Sequence, residues 1–178
     1  TADKAIIYKI DPDYTKWLVD DNANINIGCI SHNTIQNAGT DILFCSRSGV
    51  HSIKRSEDNG ILVYSYSLSD KIKSLYREYL ASVSNYESVT AVFNQDTSQY
   101  HIYFPLGDST SCRRLTLTMN AELEESIPKY NTGDFLNARC AASLGGRLAL
   151  GTNGGIYNVV PVEQSIESSI TPSPLITT

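Results

Sequence analysis

A mainly β fold, built as a partial β-propeller of about three blades with one inserted amphipathic helix, is predicted by three features of this sequence. Short alternating or apolar runs recur between turn residues, as in chains of many antiparallel strands. Only one stretch keeps a helical period. Two hairpins far apart in the chain match residue type for residue type, and their separation fits the repeat of a propeller.

The elements follow in order. Residues 1–27 are expected to form an N-terminal strand and loop segment, and residues 28–160 the blade region. Asn33 to Asn37 predicts a strand that turns at Ala38-Gly39-Thr40-Asp41. Ile42 to Cys45 and Val50 to Ile53 predict a hairpin across Ser46-Arg47-Ser48-Gly49, where glycine supplies the positive φ of a tight turn. Ile61 to Ser67 adds a further strand.

From about residue 68 to 83, Leu68, Ile72, Leu75, Tyr76, Tyr79, Leu80 and Val83 recur at steps of three and four. This predicts one amphipathic helix with Ser67 or Ser69 as cap and Asp70 in the first turn.

A second hairpin is expected from Val89 to Asn94 and Gln99 to Pro105, turning at Gln95 to Ser98. In it Tyr100, Ile102 and Phe104 share one face, with His101 and Tyr103 on the other. Cys112 to Met119 reads as a half-exposed strand with Leu115, Leu117 and Met119 inward and Arg114, Thr116 and Thr118 outward. Asn120 to Gly133, polar and broken by Pro128, reads as a loop. Phe135 to Ser143 and Arg147 to Val160 predict a third sheet-like unit. Residues 161–178, rich in Ser, Thr and Pro, read as a polar tail or linker.

The repeat connects these pieces. Ile42 to Ile53 laid over Leu148 to Val159 aligns two apolar strands, two four-residue turns ending in Gly49 and Gly155, and two second strands opening on a β-branched residue and a ring. The two glycines lie 106 residues apart, and the hairpin turning at Thr97-Ser98 falls near the midpoint. About fifty residues per unit is the upper end for a blade of four short strands. Three blades leave a propeller open, because closure takes about four to eight, so further chain is expected to complete it. A β-sandwich with an inserted helix is the structural alternative.

Composition narrows the functions. The 178 residues carry 14 Lys and Arg against 19 Asp and Glu, a formal charge of −5, which argues against a surface made to grip phosphates. No run is long and apolar enough to span a membrane. Cys29, Cys45, Cys112 and Cys140 lie far apart with no metal-ligand spacing, so no zinc site is expected. The runs around Cys29, Cys45 and Cys140 predict buried, reduced thiols of an intracellular protein.

No catalytic group stands out. His32, His51 and His101 are solitary. Gly145-Gly146 and Gly151 to Gly155 resemble a phosphate loop only superficially, because the Gly-Lys-Ser/Thr ending and the following helix are missing. Gly39, Gly49, Gly154 and Gly155 therefore read as structural turn glycines. Asp11, Asp13, Asp20, Asp21 and Asn22 are calcium-type ligands without the EF-hand spacing. Asp70, Glu78 and Glu87 lack the paired geometry of glycosidase carboxylates. The tyrosines and Trp17 suit sheet faces or contacts with protein or carbohydrate. No enzyme activity, cofactor or metal is expected.

Three runs bear a likeness to a known family. The run from Gly28 to Ile53, with the core Leu43-Phe44-Cys45-Ser46-Arg47-Ser48-Gly49-Val50-His51-Ser52-Ile53, resembles a blade of the tail nozzle proteins, or tail tubular proteins B, of short-tailed phages (podoviruses). Val92 to Pro105, and Gly146-Arg147-Leu148-Ala149-Leu150-Gly151-Thr152-Asn153-Gly154-Gly155-Ile156-Tyr157, are similar to the blades that follow. Tyr130 stands where that pattern has a Trp.

The resemblance implies a structural virion protein in the tail, assembled in the host cytoplasm. It implies a homo-oligomeric, hexameric ring that docks tail adaptor and tail fibre proteins and lets DNA be ejected through it without specific binding. The related packaged-DNA stabilisation proteins (tail plugs) share the propeller plan. A carbohydrate-binding or hydrolytic β-propeller is the reading from a different class. A WD-repeat scaffold is disfavoured because the Trp-Asp and Gly-His signatures are missing.

Overall fold

The computed structural model describes residues 4, 6, 8–19, 26–39, 41–55, 62–64, 67–107, 111–119, 129–136, 138–144, 146–152 and 154–159. The chain is mainly β. Strands β1 (Tyr8–Lys9) and β2 (Leu18–Val19) pair as a two-stranded ribbon around a 3-10 turn at Tyr14–Lys16. Sheet one is β3 (Gln36–Ala38), β4 (Asp41–Cys45), β5 (Val50–Arg55) and β6 (Leu62–Tyr64). After a 3-10 turn at Asp70–Ile72 and helix α1 (Lys73–Ala81), sheet two comprises β7 (Thr90–Asn94), β8 (Gln99–Pro105), β9 (Ser111–Thr118) and β10 (Lys129–Leu136). Sheet three is β11 (Cys140–Leu144), β12 (Arg147–Thr152) and β13 (Gly155–Val159).

In each sheet the strands lie side by side in chain order and every pairing is antiparallel. Such a meander needs only short connections, which the turn residues supply. The hairpins around Gly49 and Gly155 occupy the same place in their sheets, each joining the second strand to the third. The turn at Thr97-Ser98 is not their counterpart, because it joins the first strand of sheet two to the second. The equivalent connection there follows β8, where the Leu106 amide bonds the Ser111 carbonyl at 3.0 Å.

Alternation along the strands places the core on both faces of sheet two. Ala91, Tyr100, Ile102, Phe104, Leu115 and Leu117 pack toward sheet one and α1. Val92, Tyr103 and Cys112 pack toward Leu148 and Leu150 of sheet three. Thr116, expected to point outward from a half-exposed strand, is therefore buried, and its Oγ1 lies 3.0 Å from Nδ1 of His101.

Three further expectations are corrected. Residues 129–133, read as loop, begin β10, which pairs with β9 from Lys129↔Thr118 to Leu136↔Ser111. Its exposed Asn131 and Thr132 suit an edge strand, whose polarity imitates a loop. Phe135 consequently ends sheet two instead of opening sheet three. Asn33 to Ile35 is a 3-10 turn and its end, and β3 starts only at Gln36. Residues 120–128, Ile61, Ser65, Tyr66 and the proposed tail at 161–178 lie outside the described residues.

The helix expected over 68–83 is α-helical only over Lys73–Ala81, preceded by the 3-10 turn. Ser69 does not cap it, because its Oγ accepts the Val50 amide of β5 at 2.9 Å. Arg113 of β9 holds the exposed face of α1, 2.9 Å from Glu78 and 5.0 Å above the Tyr79 ring.

Gly49 makes this junction possible. A Cβ there would collide with Oγ of Ser69 and lie 2.8 Å from Oγ of Ser67, and the residue's φ of +155° is one that side-chain-bearing residues rarely adopt. Gly155 has a φ of +136° but open space around it. Gly49→Ala should therefore destabilise by about 2 kcal/mol and Gly155→Ala by about 1, to be read by denaturant unfolding. Equal losses would mean that the serine contacts are slack.

Candidate functional site

The first strands of the three sheets form the feature with the most organised surroundings. β7 lies beside β3 on one side and β11 on the other. Their sequences, Gln36–Ala38, Thr90–Asn94 and Cys140–Leu144, contain no Lys, Arg, Asp or Glu. Small side chains face the neighbouring sheets, with Ala38 and Ala91 in the core between sheets one and two and Ala141 against that between two and three. Residues of this size let backbones approach closely.

Two of these strands are introduced by the same device, which also precedes β2. Asp13, Ser31 and Asn85 each accept a hydrogen bond from the amide two residues on, opening a 3-10 turn that Trp17, Ile35 and Val89 close into extended backbone. The turns before β3 and β7 touch. Ser31 Oγ donates to the Glu87 carbonyl at 3.0 Å, and Asn33 Nδ2 reaches the same oxygen at 3.5 Å. Sequence reasoning missed this element, although its signal is visible as Asp, Ser or Asn followed four residues later by a large apolar residue and then a strand.

Beneath these turns a polar network crosses from sheet one to sheet two. Tyr100 Oη donates to the Thr34 carbonyl at 2.5 Å and lies 3.6 Å from Cys45 Sγ. Thr34 Oγ1 donates to the Ser31 carbonyl at 2.7 Å and accepts the Cys45 amide at 3.2 Å. Tyr76 Oη of α1 donates to the Ser46 carbonyl at 2.7 Å. Burial pushes the Cys45 thiol up to about 12 and raises both tyrosines, so every member stays neutral. These groups position strands and have no nucleophile among them. Tyr100→Phe should cost about 2 kcal/mol, since it strands a buried carbonyl. Unfolding of that variant at neutral pH checks it, and an unchanged midpoint would mean that water replaces the phenol.

No protein-family model matches the sequence, and no curated protein matches it. The residues themselves therefore decide what the chemistry allows.

The sequence candidates do not converge. His32 is exposed, His51 Nε2 is 2.9 Å from Ser48 Oγ with its ring 5.7 Å from Phe44, and His101 belongs to sheet two. Burial lowers the pKa of His51 and brings that of His101 down to about 4, with the Arg114 charge adding to the latter. Asp11 and Asp13 serve the ribbon turn, where Asp11 accepts the Asp13 amide at 2.9 Å and Asp13 the Thr15 hydroxyl at 2.7 Å. Those Thr15 bonds hold the Asp13 carboxyl below its usual range. Asp20, Asp21 and Asn22 lie outside the described residues.

Of the remaining carboxylates, Asp70 opens the turn before α1, Glu78 pairs with Arg113, and Glu87 offers its backbone to Ser31. No group of three His, Cys, Asp or Glu at metal-binding distance occurs among the described residues. No helix among them is long and apolar enough to cross a membrane.

Gly39, with φ +77°, turns β3 into β4, while Gly154 and Gly155 turn β12 into β13. The glycines of the loop-like Gly151 to Gly155 run lead into a strand, so no helix N-terminus is present to receive a phosphate. Cysteine placement corrects one expectation: Cys45 and Cys112 are buried and Cys29 half-buried, but Cys140 is exposed. It stands on the face of β11 that points away from sheet two.

Proposed function

We propose that this chain forms three neighbouring blades of a β-propeller and serves as a structural, non-catalytic part of the tail nozzle of a short-tailed phage virion. The observation that carries the propeller is the contact of β7 with both β3 and β11. First strands meeting in chain order, with each meander running outward from them, is the radial plan of blades around an axis. In a stacked sandwich no strand position is privileged in this way.

The nozzle assignment rests on the resemblance of the runs at 28–53, 92–105 and 146–157. It is supported by the chemistry of the first strands, which present amides, methyls and hydroxyls and no cations. A surface of that kind does not hold phosphates, which suits a conduit through which DNA must slide. In this reading the chain acts by shape: it oligomerises into a ring, offers surfaces to adaptor and fibre proteins, and resides in the virion.

The exposed Tyr8, Tyr14 and Trp17 of the N-terminal ribbon favour a second reading, a carbohydrate-binding propeller. Electron cryo-microscopy of purified source particles separates the two. Density for the three sheets within a ring at the distal end of the tail supports the nozzle. A chain missing from particles, with measurable glycan affinity as a monomer, overturns it.

A further inference from the structure

Sheets one and two have four strands and sheet three has three. Among the described residues β13 pairs only with β12, so its far edge is open to another strand. Sheet edges are commonly protected by shortness or by charge. The outer edge of sheet one is the three-residue β6, and that of sheet two, β10, carries Lys129 and Asp134. β13 is longer than β6, and its sequence Gly155–Val159 holds no charge and no proline. Ile156, 58% exposed, adds apolar surface beside the bare edge. Such an edge is a template for one more strand.

The chain supplies a segment suited to it. In sheets one and two the chain leaves the third strand and returns alongside it as the fourth, through links at 56–61 and 119–128 that hold an even number of residues. An even link fixes the faces, because opposed residues of an antiparallel pair point the same way. In sheet three it sets Ile166, Ser168 and Ile170 opposite the odd-numbered residues of β13. On that side Tyr157 stands opposite Leu150, a member of the core between sheets two and three. Glu167, Ser169 and Thr171 then belong to the outer face. This is the alternation of a strand with one buried face, set among the Ser, Thr and Pro that give the stretch its polar composition.

With a link as short as that of sheet one, 160–165 connect and 166–170 match β13 residue for residue. Ile170 then stands opposite Gly155, where nothing lies within 4 Å of the place a Cβ would occupy. Pro172, which has no amide to give a ladder, falls past the end of the pairing.

We propose that residues 166–170 add to the open edge of β13 as an antiparallel fourth strand, with Ile166 opposite Val159 and Ile170 opposite Gly155, so that a segment of the same chain closes sheet three. The proposal rests on the order of strands within the sheets and not on their arrangement about an axis.

Hydrogen exchange of the full chain, followed amide by amide by NMR, tests the pairing. Alternate amides of 166–170 should exchange at least about a hundredfold more slowly than those of an unstructured chain, while the amides between them, turned away from β13, exchange freely. A disulfide tests the register. In a background of Cys29→Ser and Cys140→Ser, Ile156→Cys with Ser169→Cys should cross-link within one chain under glutathione disulfide, and Ile156→Cys with Ser168→Cys, on opposite faces, should not. Ile166→Asp together with Ile170→Asp should abolish both the protection and the cross-link while the amides of β8 stay protected.

Exchange at the unstructured rate throughout 166–170 overturns the proposal. So does a cross-link that joins two chains, which would mark a strand taken from a second copy. Cross-linking through Ser168→Cys in preference to Ser169→Cys would turn the isoleucines outward, and overturns it as well.

Discussion

Phe104→Ala is expected to destabilise the protein by about 3–5 kcal/mol, the range for emptying a fully buried aromatic site. Phe104 is completely buried in the core between sheets one and two. Tyr76 and Tyr79 of α1 meet its ring edge-on, with centroids at 5.7 and 5.8 Å and interplanar angles of 84° and 71°. The substitution therefore removes contacts from the core that sheets one and two share with the helix. Phe104→Leu keeps most of the volume and loses the edge contacts, so about 1–2 kcal/mol is expected. Denaturant unfolding of both variants measures the difference. A loss under about 1 kcal/mol for the alanine variant would mean that α1 is not packed as described.

Acid should weaken the fold through His101. Its side chain is buried, Nδ1 contacts Thr116, and Nε2 has no hydrogen-bond partner among the described residues. Burial first, and the Arg114 charge second, depress its pKa from 6.5 to about 4. A depressed histidine favours the folded state in its neutral form. The stability it contributes is complete above the unfolded value and is lost as pH falls from about 6.5 through about 4. Between pH 7 and pH 4.5 the loss should be about 2–3 kcal/mol. His51, also depressed by burial although Asp70 opposes this, adds in the same direction. His101→Gln keeps a polar partner for Thr116 but does not titrate, so its unfolding midpoint should change far less over that interval. Parallel profiles for the two proteins would sink the assignment.

What was legible in the sequence follows from where the signals are local. The hairpin at Gly49, the strand pair around Gln95 to Ser98 and the helical stretch after Leu68 each announce themselves through period and turn chemistry within a dozen residues. β10 did not, because Asn131, Thr132, Gly133 and Asp134 are polar, and only pairing with β9 makes an edge strand of them. Thr116 reads as outward-facing for a related reason. A threonine opposite leucines reads as solvent-facing until a third sheet is known to cover its side.

The turns capped by Asp13, Ser31 and Asn85 carry no periodic signal, because a 3-10 turn has too few residues to show one. The bonds between the Ser31 and Asn85 turns, and the meeting of β3, β7 and β11, depend on contacts about fifty residues apart that no local pattern encodes. The candidate site was legible least of all. Its cap residues are visible one at a time, but not the bonds from Ser31 and Asn33 to the Glu87 carbonyl that join two of the turns.

Distances between paired spin labels test the radial arrangement most directly. One pair belongs on first strands, at Asn37 and Ala142, and one on third strands, at Ile53 and Ile156. Both should be placed in a background with Cys29 and Cys140 replaced, under conditions that keep the chain monomeric. Third strands stand about 10 Å farther out than first strands. A fan of blades predicts that the outer pair is longer than the inner pair by more than about 10 Å. Equal distances would mean that the sheets are stacked in parallel layers, and would contradict the propeller.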